Sequence, residues 1–160
     1  MPWKILDDKD SGNGDTKLNT LLLDARKKGA VETAGEILRQ GGLVGIPTET
    51  VYGLAADALN GAAVKKIFAA KGRPQDNPLI VHISEFRQIY DLVKEVPDTA
   101  KRLAERYWPG PLTMILPKSE RIPDEVSAGL PTVAVRFPSH PVAQAVITAA
   151  GTPQIGRAHV

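Results

Sequence analysis

The chain contains no cysteine, so it can form neither a disulfide framework nor a thiolate metal site. Aromatic residues make up only 5% of its 160 residues, which leaves few side chains for stacking on nucleic-acid bases. The net charge of +2 lacks the basic excess of typical nucleic-acid-binding proteins. No apolar run approaches the roughly 20 residues of a membrane-spanning helix. The N-terminal residues also lack the apolar segment of a secretory signal, and we expect a cytoplasmic protein without membrane association.

Helix and strand patterns alternate along most of the chain. Apolar residues recur at helical spacing in four segments: 31–38, 63–68, 97–107 and 141–150. Short aliphatic runs that predict buried strands occur at 43–46, 79–83, 112–116 and 132–137. Ser84 is predicted to cap a further helix that begins at Glu85. This alternation predicts an α/β domain in which helices pack on a twisted mixed sheet.

The two ends of the chain depart from this pattern. Residues 1–29 contain a turn-rich cluster and are predicted to be an N-terminal extension of a domain at 30–153. After Pro153 a further buried strand is expected, but the chain continues as QIGRAHV. Because IGRAHV is what a common sequencing-library adapter encodes in one reading frame, we expect residues 154–160 to be a non-native tail. A genomic locus that encodes IGRAHV before a natural stop would refute this expectation.

The first segment that could carry chemistry is PTETVYGL at residues 47–54, directly after a predicted strand. Open α/β folds bind ligands at the C-terminal ends of strands. The closely spaced hydroxyl groups of Thr48, Thr50 and Tyr52 suit a polar ligand. They equally suit a turn in which the threonines only cap the backbone, and the pattern leaves both interpretations open.

The second segment is KGRPQDNPL at residues 71–79. Lys71 provides a compact cation and Arg73 a planar fork, and together they could bind a polyphosphate. The dipole of a helix C-terminus would explain Lys71 without any ligand, but it explains Arg73 less well because Pro74 already ends the helix. Asn77 either hydrogen-bonds a ligand or shapes the following turn.

Two predicted strands carry polar side chains among apolar ones. His82 interrupts the run LIVHI, and a lone strand histidine is commonly structural. No second histidine stands at metal-ligand spacing, so we expect no zinc site. Thr132 and Arg136 share one face of their strand because side chains alternate. A buried arginine needs an anionic partner, which could be a ligand carboxylate or an acidic residue of the protein.

Together these segments resemble a known family. PTETVYGL, KGRPQDNPL, the strand histidine, WPGPLT and VAVRFP occur in the same order and at similar spacings in the YrdC-like threonylcarbamoyl-AMP synthases, over about residues 30–153. The resemblance implies a YrdC/RibB-like fold. It also implies a nucleotidyltransferase that makes threonylcarbamoyl-AMP and pyrophosphate from L-threonine, bicarbonate and ATP. The product would serve tRNA-modification proteins that make threonylcarbamoyladenosine.

The resemblance also implies site residues by matching position. L-threonine would be contacted by Thr50, His82 and Arg136, with Arg136 pairing the carboxylate. ATP would be held by Lys71, Arg73, Asn77 and Thr132. Of these, Lys71 and Arg73 would be the catalytic pair that neutralises phosphate charge. Mg²⁺ is expected with the phosphates, without a metal cage of the protein's own.

One departure from the family pattern affects the expected activity. Family members continue after the GTP junction with a Ser-Ala-Asn segment that completes the pocket, whereas this chain reads QIGRAHV. We therefore expect a C-terminally truncated member whose own turnover is open. Two alternatives are a double-stranded RNA or tRNA-binding module without turnover and the carbamoyl-transfer domain of a hydrogenase-maturation protein. The absence of cysteine argues against the latter.

Overall fold

The structure is a computed structural model that describes residues 3–7, 19–72 and 76–158, with side chains placed in 19–72 and 76–156. The strands in this part of the chain are β1 Trp3–Asp7, β2 Asn19–Leu23, β3 Leu43–Pro47, β4 Tyr52–Asp57, β5 Ile80–His82, β6 Thr113–Pro117, β7 Thr132–Arg136 and β8 Gln154–Ala158. The helices are α1 Ala30–Arg39, α2 Gly61–Lys71, α3 Ile89–Leu92, α4 Asp98–Tyr107, α5 Asp124–Ser127 and α6 Pro141–Ala150. A 3-10 turn, Phe86–Gln88, precedes α3. None of these helices is long and apolar enough to cross a membrane.

The described strands form one mixed sheet in the order β2-β1-β3-β4-β8-β5-β7-β6. Neighbouring strands are antiparallel, except that β5 and β7 run parallel. This confirms the prediction of an α/β fold with helices on a mixed sheet. The parallel pair places the C-terminal ends of β5 and β7, and therefore His82 and Arg136, side by side.

The two faces of the sheet are covered unequally. On one face, Val81, Val135 and Ile155 belong to the main apolar core, which α2 to α5 cover. On the other face, α1 and α6 pack over β3 and β4 in a second core that includes Ile46 and Ala55. The part of this second face that β5, β7 and β6 form is covered less, and we call it the open face: Ile115 on β6 is 69% exposed there, although His82 on β5 is buried. This open face is available to a ligand.

Side-chain caps begin α6 and the 3-10 turn that precedes α3. His140 Nδ1 accepts a hydrogen bond of 3.2 Å from the backbone N–H of Val142 and thereby caps the N-terminus of α6. The predicted cap at Ser84 is wrong by one residue. Glu85 and Gln88 form a capping box instead, in which the Gln88 side chain accepts from the Glu85 N–H.

Parts of both terminal segments lie in the sheet. Strands β1 and β2, within residues 1–29, extend its edge beyond β3. Residues 154–158 form β8, which pairs with β4 on one side and β5 on the other. The proposed non-native origin of residues 154–160 concerns the gene and stays a prediction. In the structure, β8 joins the two halves of the sheet.

Candidate ligand-binding site

The sheet register arranges the open face in rows that cross the strands. The first row is polar and consists of Thr113, Arg136, His82 and Gln154. The second row is apolar and consists of Ile115, Ala134, Ile80 and Gly156. A third row contains Pro117 and Thr132. Successive rows are about 6.6 Å apart, because residues on one face recur every two positions at about 3.3 Å per residue.

A cavity of about 470 Å³ opens where the first two rows meet the β3–β4 loop. Its described lining residues are Thr48, Thr50, Val51, Pro78, Leu79, Ile80, His82, Arg136 and Gly156. The fold therefore brings the three predicted L-threonine residues, Thr50, His82 and Arg136, to one cavity. Polar groups and apolar groups both line it, as is typical of sites for small polar molecules.

Among the described residues, Arg136 has one hydrogen-bond partner. Its Nε donates a hydrogen bond of 2.8 Å to the Thr113 hydroxyl oxygen, its neighbour in the first row. Among the residues that the structure describes, no carboxylate forms an ion pair with Arg136. The remaining guanidinium N–H groups are thus available to an anion in the cavity, and a carboxylate matches their planar fork.

His82 is buried, with 3% of its surface exposed. Burial, assisted by the positive charge of Arg136, lowers the pKa of His82 from its usual 6.5 to about 4. The imidazole is therefore neutral at pH 7. Its Nδ1 lies 3.2 Å from the carbonyl oxygen of Ile80, which can only accept, so Nδ1 carries the proton and Nε2 is an acceptor.

Gly156 lets the His82 ring approach strand β8 closely. A Cβ at this position would be 2.6 Å from Cε1 and 2.8 Å from Nδ1 of His82. Such distances exclude any side chain at 156 unless the ring moves. The position of the imidazole in the cavity therefore depends on the neighbouring strand as well as on its own.

The two threonines of the β3–β4 loop have different roles. The Thr48 hydroxyl accepts hydrogen bonds from the N–H groups of Thr50 and Val51, at 3.3 and 3.2 Å, and it donates to the Val51 carbonyl. Thr48 thus fixes the loop. Thr50 is exposed at the cavity, and its hydroxyl lies 3.1 Å from that of Thr48. Of the two interpretations left open by the sequence, turn formation applies to Thr48, and ligand contact by Thr50 stays a prediction.

Glu49, which sequence reasoning missed, connects this loop to the segment after β7. Its Oε2 accepts a hydrogen bond of 3.1 Å from the N–H of Ser139, three positions beyond Arg136. Its Oε1 is buried without a hydrogen-bond partner among the described residues. The Glu49 charge also acts on His82, where it opposes the lowering of the pKa. The only sequence signal was an acidic residue between two cavity threonines.

The Glu49 contact predicts a stability difference between two variants. Glu49→Ala is expected to lower the free energy of unfolding by about 1–2 kcal/mol, because the Ser139 N–H loses its charged acceptor. Glu49→Gln should lose less, since its amide oxygen can still accept. Urea denaturation measures both, with Glu120→Ala at an exposed position as the control. Equal losses in the alanine and glutamine variants would contradict this role.

The predicted ATP residues are more dispersed. Lys71 ends α2, and the exposed Asn77 precedes the cavity residue Pro78. Thr132 begins β7 on the same face as Arg136, about 13 Å away along the strand. None of these three is among the described residues that line the cavity. Arg73 lies outside the described residues.

The described residues contain no cluster of three or more His, Asp or Glu side chains that could hold a metal ion. The described side chains that line the cavity offer an arginine, a neutral imidazole and hydroxyl groups. These groups favour a small ligand that carries a carboxylate or a similar anion.

The fold and the cavity define a class of protein, the α/β domains in which helices pack on a mixed sheet and a cavity opens on one sheet face. Comparison with known families makes the assignment specific. The chain belongs to the Sua5/YciO/YrdC family, whose model carries the description "Telomere recombination" and matches residues 36–156. This confirms the family resemblance predicted from the sequence motifs.

Similar proteins agree with this assignment. The threonylcarbamoyl-AMP synthase of Pyrococcus abyssi (strain GE5 / Orsay) is 52% identical over 131 residues, which are 80% of this chain and 38% of that protein. The protein of the same name from Bacillus subtilis (strain 168) is 53% identical over 124 residues, 77% of this chain and 36% of its own length. The solved structure of P. abyssi Sua5 complexed with L-threonine has a TM-score of 0.80 and 51% identity, and the match covers 82% of this chain and 38% of that one. The chain thus spans less than two fifths of the length of these relatives.

Proposed function

We propose that this chain is the catalytic domain of an L-threonylcarbamoyladenylate synthase, which joins L-threonine, bicarbonate and ATP. The observation that carries the proposal is the meeting of Arg136, His82 and Thr50 in one cavity on the open face. Relatives named threonylcarbamoyl-AMP synthase support it, as does the similar Sua5 structure that holds L-threonine.

In this proposal the cavity binds L-threonine through three contacts. Arg136 pairs with the α-carboxylate, since it has no described acidic partner of its own. His82 stays neutral at pH 7 and offers Nε2 as an acceptor for a ligand N–H or O–H group. Thr50 contributes its hydroxyl from the loop that Thr48 and Glu49 hold in place.

The proposed reaction needs no covalent enzyme intermediate. The threonine amine attacks the carbon of bicarbonate and water is lost, which gives a carbamate. A carbamate oxygen then attacks the α-phosphorus of ATP, and the bond to the leaving pyrophosphate breaks. The protein accelerates these steps by positioning the reactants and by neutralising phosphate charge, the roles that we assign to Lys71 and Arg73. Asn77 and Thr132 hold the nucleotide.

We propose that Mg²⁺ accompanies ATP in this reaction. The described residues offer no carboxylate cluster for it, which fits a cation held by phosphate oxygens and water. When bound, it would supply further neutralisation of phosphate charge. The product is an activated adenylate for tRNA threonylcarbamoyladenosine, so proteins of tRNA modification would consume it, and we place the reaction in the cytoplasm.

Exchange of labelled pyrophosphate into ATP tests the proposed function on this 160-residue chain. We expect exchange only when L-threonine and bicarbonate are both present. Exchange that ignores L-threonine would overturn the proposal. Absence of exchange in a folded chain that shifts RNA in a salt-dependent manner would instead support the RNA-binding module.

A variant of Arg73 tests the nucleotide half of the proposal. Arg73→Ala is expected to weaken ATP binding by about 10-fold or more, because a charge-assisted contact to phosphate is lost. Titration calorimetry measures the affinity, and circular dichroism verifies the fold. Arg121→Ala is the matched control, because Arg121 lies away from the cavity. Its guanidinium pairs there with the Asp91 carboxylate at a distance of 2.9 Å. An unchanged ATP affinity in folded Arg73→Ala would refute the role.

A further inference from the structure

We propose that Ile80 determines specificity, because it receives the γ-methyl group of L-threonine and thereby discriminates against L-serine. This inference rests on the proposed function, since it takes L-threonine as the ligand of the cavity. It adds a residue for which neither the motifs nor the site chemistry gave a role. The position of Ile80 in the sheet, and not its residue type alone, supports this role.

The sheet register places Ile80 beside the carboxylate-binding groups. Ile80 and His82 are two positions apart on β5 and therefore project from the same face. Ile80 lies in the second row, which adjoins the row of His82 and Arg136. It is partly buried and lines the cavity. An amino acid bound to Arg136 therefore has Ile80 as an apolar neighbour on the floor of the cavity, which Val51, Pro78 and Leu79 also line.

The neighbours of Ile80 within its row are small. Ala134 is its partner on β7, and Gly156 is its partner on β8. The Ile80 side chain consequently lies between the methyl group of Ala134 and the backbone of Gly156. The His82 ring fills the space above Gly156, so the recess beside Ile80 lies on the Ala134 side, where a small branched side chain can contact the isoleucine. The shape suits one methyl group better than a long side chain.

The distances agree with this placement. Successive rows are about 6.6 Å apart. The γ-methyl of threonine is three carbon–carbon bonds of about 1.5 Å from its carboxyl carbon, which places it about 3–4 Å away. Apolar contact adds about 4 Å between heavy atoms. A carboxylate held in the first row thus brings the methyl into contact with the second row.

L-serine lacks only this methyl group, so it is the informative competitor. A single methyl or methylene in an apolar pocket is worth about 10-fold or more in discrimination. We expect L-threonine to bind the wild-type chain at least about 10-fold more tightly than L-serine. The discrimination should depend on Ile80 and be independent of the carboxylate contacts, which both amino acids share.

Calorimetric titration of both amino acids into three proteins tests the inference. In Ile80→Ala the ratio of the L-serine to the L-threonine dissociation constant should fall to within about threefold of unity, mainly through weaker L-threonine binding. Ile115→Ala is the matched control, because Ile115 lies in the same row but is 69% exposed and is not among the described lining residues. Its ratio should equal that of the wild type.

The outcomes separate this inference from the proposed function. A wild-type chain that binds neither amino acid would overturn both. Binding of L-threonine and L-serine with equal affinity, or a ratio unchanged in Ile80→Ala, would overturn the role of Ile80 alone. If Ile80→Ala does not fold, Ile80→Val replaces it. Its ratio of the L-serine to the L-threonine dissociation constant should be about fourfold lower than in the wild type, because one buried methylene contributes about fourfold to affinity. An unchanged ratio in folded Ile80→Val would then contradict the inference.

Discussion

L-threonine binding is expected to weaken by about 100-fold or more when Arg136 is replaced by alanine, because a charge-assisted pair with the ligand carboxylate is lost inside a partly buried site. The expectation follows from the geometry of Arg136. Its Nε is held at 2.8 Å from the Thr113 hydroxyl, and no described carboxylate pairs with it. The ligand would therefore supply the main counter-charge. Titration calorimetry with L-threonine measures the loss.

Two further variants make this prediction specific. Arg136→Lys keeps the charge but removes the planar fork, so its affinity should lie between those of the wild type and the alanine variant. Arg121→Ala removes an arginine that is paired with Asp91 and should leave the affinity unchanged. An Arg136→Ala variant that folds and binds L-threonine as tightly as the wild type would contradict the assignment of the carboxylate site.

The second large effect concerns folding stability at acid pH. The folded-state pKa of His82 is lowered to about 4 from its usual 6.5, mainly by burial. Between these values the unfolded chain holds more protons than the folded one, so the contribution of His82 to stability declines as the pH falls. It is complete above about pH 6.5 and is lost by about pH 4. Between pH 7.5 and 4.5 the expected loss is on the order of 2–3 kcal/mol.

Urea denaturation of the wild type and of His82→Gln, at both pH values, tests this expectation. Glutamine does not titrate, so the variant should lose less stability on acidification, and the difference between the two losses should be about 2–3 kcal/mol. Each protein is compared with itself at the two pH values, so any pH-independent effect of the substitution on stability cancels. The same acid dependence in both proteins would show that His82 is not buried as a neutral group.

Much of the fold could be predicted because its signals are local. The strands at 43–46 and 132–137 are aliphatic runs, and the structure places β3 and β7 there. Strand β4 was not predicted, because its sequence YGLAAD is poor in β-branched residues and Gly53 interrupts it. Strand β4 is stabilised by its pairing with β3 and β8, although its residues have low strand propensity.

The site was less predictable, because it depends on contacts between distant residues. Alternation placed Thr132 and Arg136 on one face, but it could not show that His82 lies beside Arg136, which requires the parallel register of β5 and β7. Glu49 was missed because its partner, the Ser139 N–H, is 90 positions away in sequence. Gly156 became informative only once the His82 ring was seen against it.

The most direct test of the central claim, that the cavity binds L-threonine, is an NMR titration of the histidine ring signals. His82 lies in the cavity, whereas His140 caps α6 through Val142 and serves as an internal control. We predict that L-threonine shifts the His82 ring signals in a saturable manner and leaves those of His140 in place. Unchanged His82 signals at saturating L-threonine, in a folded chain, would contradict the account.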